Sequence, residues 1–307
     1  MRPVVGIDLG GTKTAAALVA PDGTLGVRVE APTPAAEGPD AVLDVVAGLA
    51  ARVAGDSPIG GVGIGTAGIV DAAGRVVSAT ETFAGWVGTD LVAGVGARLP
   101  ARVPIRVYND VDAHLLGEAW QGAARGHSSV LMVAVGTGVG GALLIDGRLV
   151  RGAHGAAGEV GHMPAVGAEG LRCPCGRYGH LEALAAGPAI ARGYRAAGGT
   201  TADGTEADAR VVFGLAERGD PVAAAVVEAA AAGLGRAIAG LVTTIDPGCV
   251  VIGGGVAEAG EPWWRPLREA FRSELVAAFA TPLVKAELGV SAAMLGAARG
   301  LFDDEGA

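Results

Sequence analysis

The chain has 307 residues, of which 50% are hydrophobic and 53 are glycine, and it carries a net charge of −9. That length allows one large or two ordinary domains with an ample core, and glycines lying between apolar runs with no Gly-X-Y period exclude a fibrous protein and suggest a compact α/β enzyme. Acidic charge with no basic run argues against a nucleic-acid partner, and neither a leader nor an unbroken apolar span of about 18 residues points to a membrane, so a cytoplasmic protein is expected.

In chain order, Val4 to Leu9 is an apolar, β-branched run with Asp8 at its end. Gly10-Gly11-Thr12 turns the chain, and Ala15 to Val19 resumes the apolar pattern. This reads as strand, tight turn, strand. Glycines there let backbone N–H groups approach an anion without a Cβ in the way, and Thr12 and Thr14 add hydroxyl donors. A carboxylate beside such a cradle suits a Mg²⁺ carried in by a nucleotide, because Mg²⁺ shares oxygen ligands with phosphate. A Gly-Gly turn standing alone would be an ordinary hairpin.

After Pro21-Asp22-Gly23, Thr24 to Glu30 reads as a third strand and Asp40 to Val53 as a helix. Gly61 to Gly68 is a strand running into a glycine-rich loop. Gly63, Gly65 and Gly68 have the spacing of a dinucleotide fingerprint, but Ile69-Val70-Asp71 leads into a turn and strand where that fingerprint needs a helix. A substrate-facing loop is expected instead. Thr80 to Trp86 is irregular and Thr89 to Leu99 helical. Pro104 to Tyr108 is a short strand ending in Asn109-Asp110, with a helix over Val111 to Trp120. That junction sets a carboxylate at the sheet edge, where α/β proteins place their chemistry, although an Asp at a helix start also serves as an N-cap.

Ser129 to Val135 repeats the opening pattern, followed by Gly136-Thr137-Gly138-Val139-Gly140-Gly141, a strand over Ala142 to Ile145 and an Asp146-Gly147 hairpin. Two strand–turn–strand units roughly 125 residues apart suggest a duplicated architecture, each half offering a phosphate-gripping hairpin to a shared cleft. Gly152 to Glu182 is loop-rich. Helices are expected over Leu184 to Ala196, Asp208 to Glu217, Asp220 to Ile245, Pro262 to Phe279 and Ser291 to Leu301. Strands are expected over Cys249 to Ile252, delivered into Gly253-Gly254-Gly255, and over Leu283 to Ala286.

His162, Cys173, Cys175 and His180 lie close together in the chain. Thiolate and imidazole are zinc's preferred ligands, and four protein ligands close a tetrahedral site, which makes its role structural. Two buried thiols and two surface histidines are the alternative, disfavoured because the surrounding loop has few large apolar residues. His114, His127 and His154 read as surface residues or as supports behind a site.

Taken together these pieces resemble the ROK family (repressors, open reading frames, kinases), close to its glucokinase-type members, across nearly the whole chain. The matching motifs are Asp8 to Lys13, Asn109-Asp110, Gly136 to Gly141, Gly158-Glu159 with His162, Cys173 to Gly176 with Gly179 to Glu182, and Asp246-Pro247 leading to Gly253 to Gly255. The resemblance implies an α/β, two-domain actin/hexokinase-like (ribonuclease H-like) ATPase fold with a cleft between domains. Residues 1–120, joined by the final helix 291–307, would form one domain. Residues 121–290, carrying the zinc knuckle 162–182, would form the other.

It also implies an ATP-dependent kinase of a sugar's 6-hydroxyl, with Asp110 as catalytic base. Gly68, Thr82, Asn109, Asp110, Glu159, His162 and Glu182 would meet the sugar. Asp8 would lie near Mg²⁺, with Gly10, Gly11, Thr12, Lys13, Gly136, Thr137 and Gly138 around the phosphates and Gly254 and Gly255 on the adenosine side. His162 would serve zinc with one nitrogen and sugar with the other. A homodimer or homotetramer is a family-based expectation.

Three positions depart from the family pattern. His180 stands where a third cysteine is usual, Thr82 where an asparagine commonly touches the sugar, and Ala67 where a proline is frequent. All lie on the sugar side. They leave glucose first among the candidate hexoses, followed by N-acetylmannosamine, N-acetylglucosamine and fructose. Family repressors carry a DNA-binding module ahead of the first hairpin, and with Asp8 so near the start none is expected here. A catalytically silent sugar sensor is the remaining alternative.

Overall fold

The computed structural model describes residues 1–79, 83–201 and 204–304. The chain clusters into two units, one formed by Met1–His127, Arg148–Ala157 and Ala286–Ala307, the other by Ser128–Gly147 and Gly158–Lys285.

The first unit opens with β1 (Val4–Leu9), β2 (Lys13–Val19) and β3 (Val29–Pro32), an antiparallel meander. The third strand starts at Val29, later than expected, because Leu25 makes only an isolated bridge to Val19. Helix α1 (Pro39–Ala54) begins on Pro39, whose missing N–H costs nothing at that position, and it buries Val42, Leu43, Val46 and Leu49. β4 (Val62–Thr66) then runs parallel to β1 and is buried along its whole length, as a central parallel strand must be. A small hairpin, β5 (Ile69–Val70) with β6 (Val76–Ser78), precedes α2 (Leu91–Gly96), β7 (Ile105–Asn109) and α3 (Asp110–Gln121). The sheet order is β3-β2-β1-β4-β7.

The second sheet contains β8 (Val130–Val135), β9 (Val139–Ile145), β10 (Arg148–Leu149), β11 (Cys249–Gly253) and β12 (Leu283–Lys285), in the order β10-β9-β8-β11-β12. The single helix expected over 184–196 is two, α4 (Glu182–Ala185) and α5 (Gly187–Ala196). Ala186 between them is extended, Pro188 has no N–H to carry a helix through from Leu184, and the Gly187 N–H donates to Gly136 O at 2.8 Å instead of back along a helix. After α6 (Ala209–Glu217), α7 (Pro221–Ile245) is capped by Asp220, which accepts from Ala223 N–H. Among the described helices α7 is long and apolar enough to cross a membrane, yet its Val227, Leu234, Ile238 and Val242 are fully buried in this unit's core. α8 (Glu261–Glu274) packs on α7 and ends earlier than expected, at an extended Leu275.

The closing helix, α9 (Ala292–Asp304), returns to the first unit and lies directly on its sheet. A Cβ at Gly6 would come 2.2 Å from Met294 O, and one at Gly63 would come 2.1 Å from Ala297 O. Gly63 therefore admits a helix backbone, Gly65 lies in the same strand β4 with the Ala113 side chain against it, and only Gly68 of the expected loop glycines lies in a turn.

Candidate functional site

In the first unit, β1 and β7 end where the chemistry-bearing residues gather. Asn109 caps α3, its Oδ1 accepting Val111 N–H at 2.9 Å and Asp112 N–H at 3.4 Å. Its Nδ2 donates to Gly68 O at 3.0 Å, which ties the cap to the turn after β4. Asp110 is thereby released from the capping role, and its own Oδ1 accepts Val111 N–H at 2.9 Å.

Burial pushes the Asp110 carboxyl above the ordinary carboxylate range; His114 and the Val111 N–H draw it back, and Asp8 raises it further. The Asp8 carboxyl is raised by burial too, against lowering by His114, Arg28 and Lys13. Asp8, Asp110 and His114 thus form one electrostatic group. Of the two roles expected for His114, surface residue or support behind a site, its place four residues after Asp110 on one helix face gives it the second.

The first glycine turn is held from within. Gly10 N–H donates to Lys13 O at 3.1 Å, and Thr33 Oγ1 donates to Gly10 O at 2.8 Å. Thr14 is buried with its hydroxyl 2.8 Å from that of Thr33. Thr14 is accordingly an anchor of the turn rather than a donor to an anion, while Gly11 and Thr12 stay open to solvent or partly so. Lys13 Nζ stands 3.6 Å from Glu30, which Arg28 also meets at 3.0 Å. Thr82 lies outside the described residues.

In the second unit the matching turn is closed by Gly136 N–H donating to Gly138 O at 2.9 Å, with Thr137 exposed at its tip. Gly254 has φ +83°, and a Cβ there would meet Val135 O at 2.3 Å, so glycine is required where β11 passes this turn. Gly136, Thr137 and Gly255 line a cavity of about 740 Å³ whose remaining wall includes Pro188, Arg192, Arg195, Asp208 and Phe213. These five had no motif to mark them. They come from α5, α6 and the loop between, and Phe213 reads as one more apolar residue of a helix.

The four proposed metal ligands converge. Cys173 Sγ is 3.7 Å from His162 Nδ1, Cys175 Sγ is 3.3 Å from His180 Nδ1, and all four ligand atoms lie within 4.8 Å of one another. Zinc bonds of about 2.0–2.3 Å in a tetrahedron set ligand atoms roughly 3.3–3.8 Å apart, so the cluster fits one such ion. The knuckle is tight because Cys173 N–H donates to Arg177 O at 2.8 Å and Gly176 N–H to Cys173 O at 2.9 Å, with Gly176 at φ +89°. Burial pushes the Cys173 thiol up to about 11, and coordination to a metal would displace its proton. His162 directs Nδ1 at the cluster and Nε2 toward Glu159 Oε2 at 3.8 Å. Glu182 stands beside the cluster, its Oε1 3.9 Å from Cys173 Sγ, while its Oε2 accepts Val139 N–H at 2.9 Å.

A family model described as the ROK family matches residues 4–303. The chain is 33% identical over 311 residues to a glucokinase of Thermotoga maritima, with 96% of each chain covered. It is 34% identical over 295 residues to an N-acetylmannosamine kinase of Shigella flexneri, covering 96% of this chain and 97% of that one. A crystal structure of a ROK family glucokinase from Streptomyces griseus, in complex with glucose and AMPPNP, matches with a TM-score of 0.80 at 31% identity, covering 96% of this chain and 98% of that chain.

Proposed function

The chain belongs to the ROK family of sugar kinases, and from that premise we propose that it transfers the γ-phosphoryl group of ATP to the 6-hydroxyl of a hexose, with glucose the first candidate. The observation that carries this reading is Asp110, a carboxylate at the start of α3 that the Asn109 cap leaves available. In this reading Asp110 accepts the proton of the attacking hydroxyl, help usually worth about 10²–10⁴ in rate.

The other residues position and neutralise, which is most of what phosphoryl transfer asks of a protein. In the first unit, Gly10, Gly11, Thr12 and Lys13 would face phosphate, with Gly68, Thr82 and Asn109 on the sugar. In the second, Gly136, Thr137 and Gly138 would hold phosphate, and Gly254, Gly255 and the adjoining cavity the adenosine. Glu159, His162 and Glu182 would hold sugar hydroxyls. Mg²⁺, bound with the nucleotide, would neutralise phosphate charge, with Asp8 the carboxylate beside it. Zinc on His162, Cys173, Cys175 and His180 would be structural. With Nδ1 committed to the metal, His162 would carry its proton on Nε2 and offer a donor to the sugar.

N-acetylmannosamine is the second candidate sugar, on the strength of the equally similar kinase that carries that name. An ADP-release assay with MgATP over glucose, N-acetylmannosamine, N-acetylglucosamine and fructose tests the reading. Turnover on one sugar supports it. Silence on every sugar, with sugar binding retained, would mark a non-catalytic sensor instead.

A further inference from the structure

One carboxylate in the second unit joins two features that the kinase reading treats separately, and the inference rests on that reading. Glu182 opens α4 immediately after the knuckle. Its Oε2 accepts the N–H of Val139, the residue that follows the glycine turn, at 2.9 Å. A Cβ at Gly138 would stand 2.6 Å from that same oxygen, so the glycine lets the carboxylate lie flat against the turn. The turn is tied from the other side by Gly187 N–H donating to Gly136 O at 2.8 Å. A negatively charged oxygen thus occupies a backbone donor of the turn assigned to phosphate. It has the charge sign and hydrogen-bonding character of the phosphate oxygen that the turn would otherwise take. One N–H cannot serve both fully, and two anions on one donor repel.

We propose that Glu182 gates the nucleotide's phosphate turn and is released by sugar. Without sugar its carboxylate covers the Val139 N–H and opposes the incoming phosphate. When sugar hydroxyls draw the carboxylate to themselves, the N–H becomes available and the opposing charge is spent on the sugar. Sugar then tightens nucleotide binding, and by linkage nucleotide tightens sugar binding by the same factor. The arrangement also disfavours ATP binding without an acceptor, which limits wasteful hydrolysis.

Calorimetric titration with MgAMPPNP, with and without saturating glucose or N-acetylmannosamine, tests the gate. Wild type is expected to bind the nucleotide about fivefold or more tightly when the accepted sugar is present. Glu182→Gln keeps the shape and removes the charge. It should bind MgAMPPNP without sugar about as tightly as sugar-loaded wild type, and gain nothing from sugar. Equal or weaker sugar-free binding by a folded, metal-replete Glu182→Gln overturns the gate, as does a wild type indifferent to both sugars.

If Glu182→Gln does not fold, Glu182→Asp withdraws the carboxylate by one methylene and should tighten sugar-free nucleotide binding. No change there overturns the proposal equally. A wild type that binds no MgAMPPNP under any condition overturns the kinase reading itself and the gate with it, whereas failure of the variants alone removes only the gate.

Discussion

Asn109 and Asp110 divide between them two duties that one aspartate at a helix start would have to combine. Asn109 satisfies the free N–H groups of α3 at Val111 and Asp112, and Asp110, one residue on, keeps a carboxylate that the cap does not consume. A neutral amide can cap without adding a second negative charge beside Asp8. In the proposed function the arrangement would give a base whose cost lies in burial rather than in an immediate anionic neighbour on its own helix cap.

Asp110→Asn should lower kcat by about 10²–10⁴ while leaving sugar affinity nearly unchanged, measured by the ADP-release assay and by calorimetry. The same change should stabilise the fold at neutral pH. The folded carboxyl is held above its ordinary value of 3.8, so the folded state binds that proton more tightly than the unfolded state does. Stability is then lost as pH rises from below the ordinary value through the raised folded one, and the full penalty stands at pH 7. Asparagine removes the penalty, a gain of about 0.5–2 kcal/mol that disappears in acid and is read from thermal melts across pH.

His114→Ala should move the acid limb of the kcat profile to higher pH. The imidazole lowers both Asp110 and Asp8 against the raising effect of burial, and Arg28 and Lys13 act only on Asp8. Without His114 the Asp110 carboxyl rises further, so the base is lost at a less acidic pH. A profile that superposes on wild type would remove His114 from the electrostatic group.

Cys175→Ser should abolish stoichiometric zinc, measured by elemental analysis, and raise KM for sugar more than it lowers kcat. The reason is geometric. Cys175 faces His180, and the same cluster holds His162, whose Nε2 is turned toward Glu159. A chelator applied to wild type should reproduce the effect, with recovery on adding zinc.

Glu118→Ala should destabilise the first unit by about 2–5 kcal/mol, read from chemical denaturation. Glu118 is fully buried, and its carboxylate accepts Ala123 N–H at 2.8 Å, Glu287 N–H at 3.0 Å and Leu288 N–H at 2.9 Å. It joins the end of α3 to the segment leading into α9. Removing it takes the acceptor from three partly buried N–H groups and opens a hole where the buried carboxylate stood.

Features carried by contiguous residues were legible in the sequence. The paired glycine turns, the Asn109-Asp110 junction and the Cys173–Cys175 knuckle depend on neighbours in the chain, and each formed where the residues placed it. Features set by distant partners were not. Gly63 resembles a loop glycine until Ala297 is seen against it, and Thr14 resembles a phosphate donor until Thr33 takes its hydroxyl. Arg192 and Phe213 line the cavity only because α5 and α6 fold beside the glycine turn, and helical periodicity carries no record of that. Pro188 is a local signal for the break between α4 and α5 that the expected single helix leaves out.

The seating of α9 on Gly6 and Gly63 has a temporal meaning. β1 and β4 leave the ribosome early, but the helix that covers their glycine-bearing face is encoded by residues 292–304. The first unit is thus begun first and closed last, while all residues of the second, up to Lys285, are already available. Until α9 has been made, the nascent sheet would present an open groove shaped for a helix. Truncation within α9 should yield chains that associate through it, and it would also strip α3, which carries Asp110 and His114, of its packing partner.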